Sequence, residues 1–429
     1  MGMGVLAFSI LLIAVFAPPS GASQIVSINK ALATAQTDHA VSMQNDQAET
    51  VRTPQTGLRF VRDLELRIRN DAFGTEAMRY SFRIEPKGWG EDRALRSLFA
   101  AEKDLIEQEI QLRLHTALLF RYRAIVEFLA NQALTHAYNE AILVKEDQIK
   151  VLEKSKYTTD FDLEEVLEAE NSLTKLKDRA VQSAKDQDKY LWLIRRILSD
   201  ASFTGFDTVD LVTVETMDKR MAPLVSDTDN VYTDNERLKS LVSKGEYESE
   251  KARNRRYLSL LSFSYDYGRY IKELNQKSHN KEYDLNARYN LEAGFRLPFL
   301  SADGREVALR LAEFLADKAG YECAKREVEF KIQRDRSDIG SLIAHYRYLV
   351  ARQNEVDAEG SLKKYLGRSG VDPLMLLSIK EGIAENKLRM EKTRFDIMRK
   401  YISVLDSTGR LSKKPLINYL AESKETIAP

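Results

Sequence analysis

Little in this sequence is suited to covalent or metal chemistry. One residue of 429 is cysteine, which excludes an intrachain disulfide and any cysteine-rich zinc module. That residue, Cys323, lies in a helical run with no histidine near it and reads as a buried packing residue. The histidines, His39, His115, His136, His279 and His345, lack metal-ligand spacing. There is no charge excess either: 65 basic residues stand against 65 acidic ones, which speaks against a nucleic-acid partner. Only nine prolines and 19 glycines accompany 30% charged residues, a composition of long helices rather than of disorder. No Ser/His/Asp arrangement, glycine-rich phosphate loop or paired acid is visible, so the chain reads as neither an enzyme nor a cofactor binder.

What is present begins with an apolar run from Val5 to Phe16, followed by Pro18-Pro19-Ser20-Gly21-Ala22-Ser23. Twelve residues, all apolar but Ser9, are too few for a stable anchor, and the small residues suit a signal peptidase cutting after Ala22. No basic residue precedes Val5, unlike the usual export signal, and no cysteine near the cut would take a lipid. No later stretch reaches the roughly 18 apolar residues of a membrane helix. The exported chain can therefore enter a membrane only as β-strands.

The sequence is written twice. Phe82-Arg83-Ile84-Glu85-Pro86 returns as Phe295-Arg296-Leu297-Pro298, and Ala94-Leu95-Arg96 as Ala308-Leu309-Arg310. Asp162-Leu163 matches the region of Asp372-Pro373-Leu374, and Tyr190-Leu191 matches Tyr401-Ile402; the offsets are about 211 to 214 residues. The resulting division is a signal peptide at 1–22, a first repeat at 23–205, an equatorial segment at 206–225, a second repeat at 226–411 and a tail at 412–429. Each repeat reads as a short helix, a β-hairpin (58–86 or 257–299) and a helical hairpin (92–199 or 305–406). Within the equatorial segment, Val209, Leu211 and Val214 suggest a short strand.

The four strands alternate cleanly. Leu64, Leu66 and Ile68 interleave with Glu65, Arg67 and Arg69, and Met78, Tyr80, Phe82 and Ile84 with Arg79, Ser81, Arg83 and Glu85. In the second half Phe263, Tyr265 and Tyr267 stand between Ser262, Ser264, Asp266 and Gly268. The last strand sets Leu285, Ala287, Tyr289, Leu291 and Ala293 against Asn286, Arg288, Asn290, Glu292 and Arg296. Such a strand has one apolar and one polar face. A half-buried soluble sheet would alternate in the same way. The export signal, the tyrosine- and phenylalanine-rich apolar face and the Arg/Glu-rich polar face favour a barrel wall with a wet interior. On that reading Glu65, Arg67, Arg69, Arg79, Arg83, Arg288, Glu292 and Arg296 face the lumen, where arginines outnumber glutamates and repel cations mildly. Four strands cannot close a barrel, and open edges are not tolerated in lipid. Two chains would make eight strands and three would make twelve; a conducting pore favours three.

Between Asp92 and Ser155 there is neither proline nor glycine, and Leu98, Leu105, Leu112, Leu119, Val126 and Ala133 recur every seven residues. Phe314, Tyr321, Val328, Leu342, Leu349 and Val356 keep the same spacing, interrupted by Asp335. These are seams for neighbouring helices. The turns fall at Lys156–Asp162 and Gly367–Pro373.

The exit from the last strand, Phe295-Arg296-Leu297-Pro298-Phe299-Leu300, followed by Asp303-Gly304-Arg305 opening the long helix, resembles the TolC family of outer-membrane efflux and secretion channels. So do Ile28-Asn29-Lys30-Ala31-Leu32 and the return-helix stretch Asp162-Leu163-Glu164-Glu165-Val166-Leu167-Glu168-Ala169-Glu170. The resemblance implies a mixed α/β membrane protein: a homotrimer with a twelve-stranded barrel in outer-membrane lipid and a twelve-helix coiled-coil tunnel in the periplasm. It further implies a periplasmic adaptor (membrane fusion) protein and an inner-membrane transporter as partners, and a Gram-negative source. By the same resemblance Asp372, with Asp160 and Asp162 in the first half, would form a periplasmic gate, while Lys156, Arg368 and Ser369 would touch the adaptor. Asp372 reads equally as a helix cap. A periplasmic coiled-coil adaptor without a pore is the alternative to the channel.

Overall fold

In the computed structural model the described residues are 24–51, 60–70, 77–154, 163–221, 223, 230–271, 283–295, 304–358, 373–423 and 425–427. The order is β1 (Gln24–Val26), α1 (Ile28–Ala33), α2 (His39–Val51), β2 (Val61–Asn70), β3 (Ala77–Pro86), α3 (Glu91–Lys154) and α4 (Leu163–Leu198). Then come β4 (Phe203–Phe206), α5 (Val214–Met221), α6 (Val231–Asn254), β5 (Leu258–Ile271), β6 (Tyr283–Phe295), α7 (Gly304–Ala358) and α8 (Pro373–Ser407). The chain is mostly helical, with one four-stranded sheet at the end of the helices.

α3 runs for 64 residues, about 96 Å at 1.5 Å per residue. Gly90 opens it at φ +84°, a conformation that suits glycine, and Glu91 and Asp92 meet the positive end of the helix dipole. Its seven-residue seam faces inward: Leu98, Leu119 and Val126 are buried, and Leu105, Leu112 and Ala133 half-buried. α4, α6 and α8 pack against α3, and α7 packs against α6 and α8. α7 continues through Gly320 and Gly340, since packing outweighs the roughly 1 kcal/mol that each glycine costs.

The apolar core lies halfway along α3. Leu118, Tyr122, Ile125 and Phe128 are fully buried there against Phe203, Met217, Tyr401 and Leu420. β1 and β4 form a small parallel pair beside it, and the Phe203 ring lies tilted, 4.8 Å from the Phe206 ring and 5.9 Å from the Phe128 ring, centroid to centroid. The C-terminal segment wraps this belt. The Tyr122 hydroxyl donates to the Ile417 carbonyl at 3.0 Å and accepts from the Tyr419 amide at 3.2 Å.

Two sequence readings are corrected here. The equatorial strand is Phe203–Phe206, not the stretch around Val209. Val209 is almost fully exposed, Leu211 makes one isolated bridge to Ala421, and Val214 opens α5. Three apolar residues at irregular spacing could not distinguish the two sites. Cys323 is exposed rather than buried, because it lies off the α7 seam of Tyr321 and Val328, the positions that turn inward.

Candidate functional site

Hydrogen bonding orders the strands β2-β3-β5-β6, all neighbours antiparallel. The register brings residues from four distant segments into transverse rows. On one face Leu66, Phe82, Phe263 and Leu291 form a row, and Ile68, Tyr80, Tyr265 and Tyr289 form the next. Phe263 and Tyr265 lie 6.1 and 5.0 Å from Tyr289, ring to ring. This face is uncovered: Leu64, Leu66, Ile68, Tyr80, Phe82, Phe263, Tyr289 and Leu291 are 38–71% exposed. Eight large apolar side chains in one patch exceed what a soluble monomer leaves in water.

The opposite face carries the charges. Glu65, Arg83, Ser262 and Glu292 share a row; Arg67, Ser81, Ser264 and Asn290 the next; Arg69, Arg79, Asp266 and Arg288 a third. Ion pairs follow the pleat. Arg67 meets Glu65 at 2.6 Å and Arg83 meets Glu85 at 3.6 Å, each two residues apart and therefore on one face. Arg79 grips Asp266 across strands with two contacts, at 2.6 and 3.2 Å. Seven of the eight residues named as lumen-facing thus fall within these rows; Arg296 lies outside the described residues, as do Asp160, Asp162, Asp372, Lys156, Arg368 and Ser369. Asp266, absent from that set, belongs with them. Its place between Tyr265 and Tyr267 in the polar parity was the available signal.

Where the strands meet the helices, Phe60, Trp89, Tyr257 and Phe295 are each at least two-thirds exposed. The junction below them is tightly paired: Arg62 bonds Glu91, whose carboxylate also accepts the Gly88 amide at 2.6 Å, and Lys87 meets Asp92 at 3.2 Å. Among the described residues the outer edges of β2 and β6 have no strand partner.

A second polar cluster was invisible in the sequence. Asp406 on α8 is buried and takes contacts from three other helices. His115 Nε2 (α3) lies 3.0 Å away, the Tyr232 hydroxyl (α6) donates at 3.0 Å, and Lys331 Nζ (α7) donates at 3.1 Å. Burial pushes this carboxyl upward, but the bond from His115 and the charge of Lys331 outweigh it and hold it at about 2. Ser412 Oγ lies 3.3 Å from the other ring nitrogen, so a Ser/His/Asp chain exists after all. It is not a catalytic triad, because Ser412, His115 and Asp406 are 3%, 0% and 4% exposed and no substrate can reach the hydroxyl.

No protein-family model and no curated protein matches the sequence. Solved structures match in shape. The outer membrane protein VceC from Vibrio cholerae aligns over 89% of this chain and 96% of that one, at 12% identity and a TM-score of 0.62. The outer-membrane channel OprN aligns over 89% of both, at 12% identity and 0.63. The CmeC outer membrane channel of Campylobacter jejuni aligns over 93% of this chain and 87% of that one, at 11% identity and 0.58. At such identities what is shared is the fold.

Proposed function

We propose that this chain, which has the fold of outer-membrane channels, is itself such a channel: a passive exit duct from the periplasm to the exterior, with no chemistry of its own. One observation carries the reading. The four-stranded sheet has an uncovered apolar face, a charged opposite face and two open edges. In lipid, open edges are prohibitive because no water satisfies their backbone groups. Copies of the chain must supply the missing strands, and three copies give twelve, wide enough for a wet lumen. The exposed Phe60, Trp89, Tyr257 and Phe295 would then mark the membrane–water boundary on the helical side. The long helices would continue the lumen into the periplasm, each repeat contributing one helical hairpin to a twelve-helix tunnel.

In this arrangement a periplasmic adaptor and an inner-membrane transporter meet the far helical end, near the turns holding Lys156, Arg368 and Ser369. Asp160, Asp162 and Asp372 would narrow that end.

Two measurements test the reading. The detergent-purified protein should have three times the mass of the exported chain and should form ion-conducting channels in planar bilayers. A monomer that stays dissolved without detergent would refute it. For the gate, Asp372→Ala should change ion selectivity; unchanged selectivity would leave Asp372 as a helix cap.

A further inference from the structure

Beyond the belt the helices form one layer in the order α4-α3-α8-α7, each packed on the next. α4 and α7 are its end members, as β2 and β6 are the end members of the four-stranded sheet. Each end helix buries one face against the layer: Val166, Ala169, Ala180 and Ile194 on α4, and Ile332, Ile339, Ile343 and Leu349 on α7.

The far face of each end helix carries a second seven-residue pattern. On α4 Leu167, Thr174, Val181 and Asp188 are exposed in strict repeat, with Asp178 and Trp192 on the same side. On α7 Phe330, Ser337, Ala344 and Ala351 are exposed in the same repeat, with Arg334 and Tyr348 beside them. Leu167, Val181, Trp192, Phe330 and Tyr348 are each more than half exposed. A solvated face needs neither a period nor aromatic residues, whereas a seven-residue repeat is the seam of a helix with a neighbour.

The chain's own bonds give the heights of the two stripes. Asp335 on α7 accepts from Lys400 and Ser403 on α8, and Arg399 on α8 donates to Glu127 on α3. Ser183 on α4 donates to the Asn131 carbonyl on α3 and accepts from Thr135. α3 and α7 lead away from the sheet, while α4 and α8 return toward it. Counting along the helices from these bonds sets Arg334 level with Trp192, Ser337 with Asp188, Ala344 with Val181, Tyr348 with Asp178 and Ala351 with Thr174.

We propose that α7 of one copy packs along α4 of the next through these two stripes, in that register, and that this contact closes the helical layer into a tube. The inference rests on the channel reading above and names the surface by which one copy holds the next. Copies related by rotation about one axis stand at equal height, so residues that are level within one chain meet between chains. The contact is heterologous: α7 offers small residues, Ser337, Ala344 and Ala351, where α4 offers Asp188, Val181 and Thr174. Trp192 then lies between Phe330 and Arg334, and Arg334, one turn from Asp188, meets a charge of opposite sign. The Tyr348 hydroxyl is placed to donate to Asp178. From Leu167 to Trp192 the seam is about 38 Å long at 1.5 Å per residue.

Cross-linking of the detergent-purified full chain tests this. Cys323→Ser removes the exposed native thiol, and Val181→Cys and Ala344→Cys are added. The oligomer is treated with a short bis-maleimide whose reach covers one helical turn, about 5.4 Å. On denaturing gels the monomer band should be lost to covalent dimer and trimer, because each copy links to the next around a closed ring. Either cysteine alone should leave the band monomeric, and oligomers assembled from a mixture of the two single variants should give dimers only. Dimers from one single variant alone would mean that like faces meet, which overturns the proposal. Thr174→Cys with Ala351→Cys should behave as the first pair does, and decides if the first pair does not assemble. A particle of three copies that neither pair links overturns the α7–α4 contact and leaves the channel standing, with the stripes open to a different protein. A particle of one copy refutes the channel reading and this contact with it.

Discussion

His115 Nε2 lies 3.0 Å from Asp406 Oδ1 in a site with almost no solvent access, and this contact ties α3 to the end of α8. Because the ionised carboxylate can only accept, the Nε2 edge of the ring carries the proton. Tyr232 and Lys331 attach α6 and α7 to the same carboxylate. One side chain on α8 thus joins α3, α6 and α7, the helices next in chain order to strands of the four-stranded sheet.

Removing that acceptor should be costly. Asp406→Ala leaves a buried imidazole N–H, a phenol and an ammonium without their partner, and should lower stability by about 3–5 kcal/mol. Chemical unfolding of parent and variant would measure it; a loss below about 1 kcal/mol would mean that water replaces the carboxylate.

The same residue sets an acid limit. Its folded-state value of about 2 lies below the usual 3.8, so the native state favours the ionised form. The stabilisation is fully present above the unfolded-state value and is lost as pH falls from about 4 through 2. Unfolding midpoints between pH 6 and pH 2 should drop in the parent across that window, and Asp406→Asn should flatten the drop.

Asp335 interrupts the apolar seam of α7 and is 1% exposed, bonded to Ser403 Oγ at 2.7 Å and Lys400 Nζ at 3.2 Å. Asp335→Ala alone should destabilise, by roughly 1–3 kcal/mol, since it strands Ser403. Lys400 keeps Asp338 at 2.7 Å, so Asp335→Leu combined with Ser403→Ala should recover most of that loss. A double-mutant cycle in urea measures the coupling.

Gly88 passes close to α6. A Cβ there would lie 2.2 Å from the Ala252 carbonyl oxygen, and moving Gly88 away would disturb its amide's bond to Glu91, the partner of Arg62. Gly88→Ala should destabilise the strand–helix junction by roughly 1–3 kcal/mol, visible as earlier proteolytic cleavage near Lys87.

Leu66 tests the membrane directly. In its row with Phe82, Phe263 and Leu291, a lipid-facing Leu66→Arg should cost about 2–4 kcal/mol if the row lies near the bilayer midplane. Refolding into vesicles would register it. On a water-facing sheet the same change would be almost neutral.

Periodicity made much of the fold legible. Parity-two alternation marked the strands of the four-stranded sheet, because a pleated strand with unlike faces can be written in no other way. Seven-residue spacing marked α3 and α7. The short equatorial strand was missed because four residues carry no period.

By itself, then, the sequence determined which residues share a face of each element: Glu65 with Arg67, Leu66 with Ile68, Leu98 with Leu119. Those relationships depend only on backbone repeat. The tertiary structure alone decided what crosses between elements. Register put Arg69, Arg79, Asp266 and Arg288 in one row, and helix packing gathered His115, Tyr232, Lys331 and Asp406 into one site. A lone charged residue on a helix looks the same in sequence whether it is solvated or buried, and only the neighbour that removes its water distinguishes the two.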